Sequence, residues 1–282
     1  MLFNDTKFEL IRYGKDGLLK ECTYYYTNNV TIITEKETVK DLGVSISNTG
    51  QFHEQINKIV ESGKKLSAWV MRTFKTRAKV PMLTLWKSLI LPKIEYCSQL
   101  WCPHKKSDIQ QIENLQRSFV RKISGTSDLS YWERLKMFNL YSLERRRERY
   151  RVIYIWKILE GLVPNVGEHV KTVQSERSDR YGRRCHIPTI NRTSPAYVQT
   201  LKEATLSVHG TKLFNALPKH LRNLSHCSVT KFKTELDAFL QHIPDEPQVP
   251  GYTAFRQAES NSLVHMIPLA ATRTAGLAAS RR

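Results

Sequence analysis

Apolar residues recur every three or four positions through most of the chain beyond residue 50, which is the spacing of one face of an α-helix. Residues 50–74 give the longest example and predict a single amphipathic helix. Its expected core-facing positions are Phe52, Ile56, Ile59, Val60, Leu66, Trp69, Val70 and Phe74. Similar patterns predict helices over residues 130–138 and 143–161, the latter capped by Ser142, and a further helix capped by Ser228. The chain is therefore expected to be mainly α-helical.

Residues 85–123 are the most apolar part of this pattern and predict two helices joined by a short polar turn. The first helix is apolar nearly all round, so it is expected to be buried. Pro92 is expected to bend it because proline lacks a backbone N–H. The turn falls at residues 103–107, and Ser107 with Gln110 is typical of a capping box that begins the second helix. We expect this helical hairpin to be the centre of the fold.

The first 47 residues follow a different pattern, in which apolar and polar residues alternate as they do in β-strands. Strands are predicted over residues 8–13, 22–27 and 30–34, with turn residues between them. Residues 39–47 are predicted to form one further strand, in which Gly43 marks a bulge or the close approach of another backbone or a ligand. The expected fold class is mainly α, a helical bundle with a small N-terminal antiparallel β region.

These changes of pattern divide the chain into five segments. We expect a β region over 1–49, a helical domain over 50–163, a basic linker over 164–195, a C-terminal helical region over 196–252 and a disordered tail over 253–282. The linker is expected because residues 174–193 are polar and rich in arginine. The tail is expected to be disordered because it is terminal and rich in Ala, Ser and Arg.

The charge of the chain indicates that it has an anionic partner. The formal net charge is +18, and the sequence pI is about 9.8. With 40% hydrophobic residues, the chain is expected to fold rather than remain a disordered basic tail. A folded and strongly basic protein is expected to bind a polyanion, most often nucleic acid. The alternative is a basic protein without a dedicated ligand.

The remaining composition bears on the compartment. Five cysteines are odd in number and scattered, which favours a reducing intracellular setting, either cytoplasmic or nuclear. Residues 1–15 carry charge throughout, unlike a secretory signal. No apolar run approaches the roughly 18 residues needed to span a bilayer, so no membrane partner is expected. No small-molecule substrate is expected either.

Basic residues concentrate on the predicted helices, which makes them candidates for contact with phosphate groups. The candidates are Lys64, Lys65, Arg72, Arg77, Arg117, Arg121, Lys122, Arg145, Arg146 and Arg149. The last three belong to a run of five arginines within seven residues, where Glu144 and Glu148 are expected to pair with arginines three or four positions along. The alternatives are a solvated basic face for the first helix and a surface helix laced with ion pairs for this run.

A further pattern runs through the central hairpin and its neighbours. It consists of Leu89–Pro92, Glu95-Tyr96-Cys97, Trp101, Glu113, Gln116-Arg117 and Phe119, with Tyr131 and Glu133-Arg134-Leu135 after them. This pattern resembles the reverse transcriptases of non-LTR retrotransposons, most closely the jockey and chicken-repeat clades, and similar runs extend over about residues 1–252. In that family the corresponding segment is the thumb, a helical module that holds the template–primer duplex. Glu133 and Arg134 are expected to form a buried pair that clamps helices.

The resemblance implies roles for the N-terminal region. The β region would be the remnant of a palm, and Lys40, Leu42 and Gly43 would belong to the primer-grip hairpin, which holds the 3′ end of the growing strand. The family binds its two Mg²⁺ ions mainly through an aromatic-Ala-Asp-Asp turn. No Asp-Asp pair occurs in this sequence, so Mg²⁺ is expected only for a full-length polymerase. The chain is expected to be a fragment of an RNA-directed DNA polymerase that binds RNA or RNA–DNA duplex through backbone phosphates and is inactive alone.

Other chemistry is weakly indicated. Cys97, Cys102 and His104 have a zinc-like spacing, but no fourth ligand follows nearby, so no metal or other cofactor is expected in this chain. Cys185 beside His186 lacks the third group that would orient a catalytic pair. Three functions stay open: nucleic-acid binding without catalysis, a polymerase subunit completed by an upstream segment or partner, and a basic helical module that binds acidic proteins.

Overall fold

The computed structural model describes residues 7–13, 23–25, 32–165, 169–173, 182–246 and 261–268. Within these ranges the chain is mainly helical, with a small two-stranded antiparallel sheet near the N-terminus. The predicted fold class is therefore confirmed. The helices are α1 His53–Thr73, α2 Lys79–Leu85, α3 Leu91–Glu95, α4 Ser98–Trp101, α5 Lys106–Val120, α6 Tyr131–Phe138, α7 Leu143–Leu159, α8 Ala196–Ala204, α9 Thr211–Ala216, α10 Lys219–Arg222, α11 Val229–Gln241 and α12 263–268.

The sheet is a hairpin of β1 Thr38–Asp41 and β2 Val44–Ser47, in which Val39 pairs with Ile46. The predicted continuous strand over 39–47 is wrong, because the chain reverses at Leu42 and Gly43. Both residues have positive φ angles, 44° and 88°, as a tight hairpin turn requires. Glycine adopts this conformation freely, whereas leucine is strained in it.

The other predicted strands are only partly described. Leu10 pairs with Glu35 and Tyr25 with Ile32 as isolated bridges, so the described portions form no extended strand there. Residues 1–6, 14–22 and 26–31 lie outside the described part of the chain.

A first hydrophobic cluster is built around the crossing of α1 and α5. Gly63 of α1 allows the crossing to be close: a Cβ atom added there would lie 2.5 Å from Leu115 Cδ2 and 3.0 Å from Ile94 Cγ2. Trp86 and Phe119 are buried in the same cluster, with ring centroids 4.9 Å apart. The apolar stripe predicted for residues 50–74 faces this core, except for Trp69, which is 45% exposed.

The first helix of the central hairpin is more broken than the sequence predicted. Backbone helicity continues from α2 through a π-helical turn, Trp86–Ile90, into α3, and Pro92 lies in the first turn of α3. The helix stops before Cys97, which has a left-handed φ of 53°. The expected Ser107 cap is also wrong, because α5 already begins at Lys106 without a side-chain cap.

A second hydrophobic cluster is formed by α9 to α12 against the C-terminal half of α7. Trp156 of α7 stacks on Phe232 of α11 with centroids 4.4 Å apart. Ser142 and Ser228 cap α7 and α11 by accepting hydrogen bonds from backbone N–H groups three residues on, as predicted. Since Leu143 packs in the first cluster and Val152 in the second, α7 is shared by both.

Two segments expected to lack a core contribute to this second cluster. In the predicted linker, Val170 and Cys185 are buried, and Asn215 holds Cys185 through bonds of 2.8 Å to both its N–H and its C=O. In the predicted tail, Leu263 and Met266 are buried. The expectations of a linker over 164–195 and a disordered tail over 253–282 are therefore wrong for the described parts of these segments.

Candidate nucleic-acid interface

The arginines of α7 lie inside the molecule rather than on a phosphate-binding surface. Arg145 is fully buried, and its guanidinium donates to the carbonyl oxygens of Ile243 and Pro244, at 3.2 and 2.8 Å. The prediction that Arg145 contacts nucleic acid is wrong, because a side chain with no solvent exposure cannot reach a phosphate without unfolding. Arg147 and Arg151 of the same run are also buried.

The other two candidates on α7 are held by carboxylates of neighbouring elements. Arg146 makes a two-pronged contact with Glu95 at 2.8 and 3.0 Å, and Arg149 makes a similar contact with Asp237. These pairs leave little exposed positive charge, with side chains only 24% and 15% exposed. The prediction of a phosphate-binding stripe on α7 is therefore replaced by a polar layer that joins the two hydrophobic clusters.

Two glutamates of α5 and α7 belong to this polar layer. Glu113 accepts hydrogen bonds from the Tyr131 hydroxyl and from the backbone N–H of Leu143, the latter at 2.9 Å. Burial raises the pKa of Glu113 to about 7, and it outweighs the opposing effects of the Tyr131 hydrogen bond and the Arg147 charge. Glu148 accepts from the Ser262 hydroxyl and the Leu263 N–H at 2.5 and 2.7 Å, which ties α12 to α7.

Arg134 and Glu133 of α6 do not form the expected buried pair. Glu133 is exposed and completes a capping box with Ser130. Arg134 is buried, and its guanidinium donates to the carbonyl oxygens of Thr126 and Ser127 at 2.9 and 3.2 Å. Arg134 therefore fixes the turn that follows α5, a structural role it fulfils without Glu133.

The outer face of α1 carries exposed lysine and arginine. Lys65 pairs with Glu61 at 2.6 Å, one turn away on the same helix. Lys64 and Arg72 are exposed, and within the described ranges their side chains make no ion pair or hydrogen bond. Trp69 lies between Lys65 and Arg72 on this face and is 45% exposed. The face therefore combines free positive charge with one accessible aromatic ring.

The free cations collect where α1 and α5 end. The backbone N–H of Ser124 donates to the carbonyl of Arg77 at 2.9 Å, which places the exit of α5 beside the turn that follows α1. Four exposed cations lie within five positions of Arg77 or Ser124 along the chain and have no side-chain partner among the described residues. They are Arg72, Lys75, Arg121 and Lys122, which we call the junction patch. The sequence has no Asp or Glu in 71–80 or 117–125. Among the described residues, this positive charge is therefore not paired with a carboxylate.

Two further candidates near the junction patch have structural roles. The Arg77 guanidinium donates to the carbonyl oxygens of Met71 and Thr76, at 2.7 and 2.8 Å, and so closes the C-terminal end of α1. Arg117 lies over the ring of Tyr131, with 4.7 Å between its guanidinium carbon and the ring centroid, and donates to Asn114. Both side chains are half-buried, and their contacts leave them fewer donors for a ligand.

The residues assigned by resemblance to the primer grip lie together at the tip of the β-hairpin. Lys40 is exposed, and Leu42 is 84% exposed, which is unusual for a leucine held in a strained turn. The Tyr96 hydroxyl donates to the Leu42 carbonyl at 3.0 Å and supports the tip from α3. The hairpin is anchored on α1, since the Ser45 N–H donates to the Gln55 side chain at 2.9 Å.

Neither the possible zinc ligands nor the Cys185 thiol has the surroundings that its proposed chemistry requires among the described residues. Among the described residues, no three His, Cys, Asp or Glu side chains converge as metal ligands would, which includes Cys97, Cys102 and His104. Burial raises the pKa of Cys185 to about 12, so this thiol holds its proton and is a poor nucleophile at neutral pH.

No family model, curated protein or solved structure matches this chain. No helix among the described residues is both long enough and apolar enough to cross a membrane.

Sequence reasoning missed the features that depend on distant parts of the chain. The Glu113 and Glu148 sites are assembled by elements 30 and 115 residues away from them. The pair of His53 and Asp108 likewise joins residues 55 positions apart. No spacing in the sequence signals these contacts. The acid-free segments on both sides of the junction patch, by contrast, are visible in the sequence and could have identified it.

Proposed function

We propose that this protein binds duplex nucleic acid, RNA or RNA–DNA, through its phosphate backbone and without reading the base sequence. The observation that carries the proposal is the junction patch, where Arg72, Lys75, Arg121 and Lys122, near two adjoining helix ends, have no carboxylate partner among the described residues. Phosphate contacts of this kind release condensed counterions and need no particular base sequence. The exposed lysines of α1, Lys64 and Lys65, extend the same surface.

We further propose that the chain acts as the thumb-like part of a non-LTR retrotransposon reverse transcriptase. The residue pattern of the central hairpin supports this assignment, and so does the exposed Leu42–Gly43 tip, which would meet the primer end. The chain by itself would hold a duplex without extending it, because two-metal catalysis requires paired carboxylates and the sequence has no Asp-Asp pair.

The test is the salt dependence of binding to a short RNA–DNA hybrid, measured by fluorescence anisotropy. For the R121Q/K122Q variant we expect weaker binding and a log–log salt slope that is shallower by about 2, because each lost phosphate contact removes about 0.9. R72Q/K75Q is expected to act in the same way. The matched control is K231Q/K233Q, which removes two exposed lysines from α11 and should leave the slope unchanged.

Other results would contradict the proposal. Equal losses in the patch variants and in K231Q/K233Q would mean that net charge, and not the junction patch, sets the affinity. Absence of hybrid binding together with salt-insensitive capture of acidic proteins would favour the protein-interaction module instead. Incorporation of nucleotides by the purified chain would show that it is catalytically complete.

A further inference from the structure

A cavity lies between the beginning of α1, the segment that follows α4 and the helix α8. Its volume is about 240 Å³. None of its walls belongs to the junction patch, so it is a separate feature of the molecule. It lies below the roughly 300 Å³ at which pockets for drug-sized ligands begin, so it has room for a planar base, while an attached sugar and phosphate would lie at its exposed rim.

The cavity is lined by both apolar and cationic side chains. The apolar ones are Phe52, Ile56, Leu100, Val198 and Leu201. Lys105 and Lys202 also line it, and both are exposed. Lys105 donates to the neutral amide oxygen of Gln51 at 3.0 Å, and Lys202 has no side-chain partner among the described residues. A ligand with a flat apolar body and an anionic group could contact both the apolar side chains and the lysines.

Two histidines add hydrogen-bonding groups to the walls. Nδ1 of His53 lies 2.8 Å from a carboxylate oxygen of Asp108, whose side chain is only 5% exposed. This contact fixes the orientation of the imidazole, as carboxylates do for histidines in many binding sites. His104 is half-buried, and burial lowers its pKa, so its ring is neutral near pH 7 and able to accept or donate a hydrogen bond. Such groups can contact the edge of a heterocyclic base.

We propose that this cavity binds one unpaired nucleotide, with the base against the apolar walls and the phosphate beside Lys105 and Lys202. The nucleotide is either free or the unpaired end of a nucleic-acid strand, and both have the same chemistry. The cavity's dimensions and charge indicate a small amphiphilic anion, while the choice of a nucleotide among such anions rests on the proposed function above.

The test is a calorimetric titration of the protein with AMP, adenosine and inorganic phosphate. We expect AMP to bind more tightly than either of its parts. The K202Q variant is expected to weaken AMP binding about fivefold, as the loss of one exposed charge contact allows. L201W should abolish binding by filling the cavity, and K231Q should bind like the wild type. Circular dichroism establishes that each variant is folded, and K202Q, a surface change, keeps the test valid if L201W misfolds.

A second measurement separates the two sources of the nucleotide. Hybrids with a one-nucleotide 3′ overhang are compared with blunt hybrids. A preference for the overhang that is lost in K202Q identifies a strand end as the ligand, whereas AMP binding without such a preference identifies a free nucleotide. Either result supports the proposal. It is overturned if neither ligand binds, if phosphate binds as tightly as AMP, or if K202Q binds AMP like the wild type.

Failure of this inference and failure of the proposed function give different results. R121Q/K122Q changes hybrid binding through the junction patch and should leave AMP binding unaltered. AMP binding that persists while hybrid binding shows no dependence on the junction patch would refute the proposed function alone. Hybrid binding that depends on the patch, without AMP or overhang binding, would refute only the nucleotide cavity.

Discussion

A carboxyl group buried among apolar side chains binds its proton more tightly than one in water, because burial disfavours the charged form. Glu113 is the clearest example, with a pKa raised to about 7 from an ordinary value of 4.5. His209 is affected in the opposite sense: burial and then the charge of Arg151 lower its pKa to about 4. The two groups therefore give opposite slopes to stability between about pH 4.5 and 6.5, and Glu144, whose pKa burial also raises to about 7, adds to the slope from Glu113.

Replacing Glu113 by glutamine should remove the part of the pH dependence of stability that Glu113 contributes. The folded state binds the Glu113 proton between pH 4.5 and 7, where the unfolded state has lost it, so Glu113 lowers the free energy of unfolding progressively as pH rises through that window. Glu113→Gln removes this effect. We expect its stability relative to wild type to rise between pH 4.5 and 7, by up to about 3 kcal/mol, and to level off above. Urea unfolding at several pH values measures the difference.

The control for this experiment is Glu61→Gln on the exposed face of α1. The Lys65 contact lowers the pKa of Glu61, so its replacement should not produce a relative gain as pH rises. Parallel stability curves for wild type and Glu113→Gln would show that Glu113 is ionised in the folded protein throughout the range.

At the scale of the element, close helix packing depends on one residue without a side chain. Replacing glycine by alanine in a helix interior normally raises the stability of the helix by about 1 kcal/mol. At Gly63 of α1 the new methyl group would meet Leu115 and Ile94, both buried and closer than ordinary contact distance. At this position the cost of the clash should therefore exceed the gain in helix propensity.

We expect Gly63→Ala to lower the free energy of unfolding by about 1–3 kcal/mol, the usual range for overpacking a well-filled core. Thermal and urea unfolding would measure it. The control for a change of propensity is Ser62→Ala, at the preceding, half-buried position of the same helix. A Gly63→Ala variant that is more stable than wild type would mean that Leu115 rotates away at little cost.

The two serine caps have different surroundings, which the sequence alone does not distinguish. Ser142 is fully buried, and besides accepting from the Arg145 N–H its hydroxyl donates to Asp245 at 2.8 Å. Ser228 is exposed and only caps α11. We expect Ser228→Ala to cost about 1 kcal/mol and Ser142→Ala about 2 kcal/mol or more, because the latter also removes one hydrogen-bond donor from the partly buried Asp245 carboxylate. Equal costs would show that the Asp245 contact contributes nothing.

At the scale of the whole molecule, α7 couples the two hydrophobic clusters. The buried Arg145 of α7 donates a hydrogen bond to Ile243 after α11, and Glu148 of α7 accepts one from Leu263 of α12. Separating the clusters would therefore leave buried charged groups without their partners. The molecule is therefore expected to unfold as one unit. Residues 261–268 take part in this unit through Leu263 and Met266.

A double substitution in α12 tests this coupling. Leu263→Ala with Met266→Ala should lower stability by several kcal/mol, since each large-to-small change in a core costs roughly 2–5 kcal/mol. Hydrogen exchange should accelerate in both α11 and the distant α5 if the clusters unfold together. His265→Ala, an exposed change in the same segment, is the control. Acceleration confined to α11 would show two independent units.

Prediction from sequence succeeded where the signal is local. The helix over 50–74, the caps at Ser142 and Ser228 and the overall helical class follow from spacing and side-chain type, which act within a few residues. It failed for the arginines of α7 because their partners, such as Glu95 and Asp237, lie far away in the chain. The sequence of an arginine run does not show whether its side chains contact phosphate or carboxylate groups.

The sequence by itself determined that this is a basic, helical protein with caps and apolar faces in defined places, because those properties depend on local spacing and composition. Only the tertiary structure decided which charges are available to a ligand. Burial and pairing occupy the arginines of α7, whereas Arg72, Lys75, Arg121 and Lys122, near two adjoining helix ends, have no partner in the part of the chain that the structure describes. The physical reason is that desolvation and ion pairing depend on neighbours in space, which residues acquire only when the chain has folded.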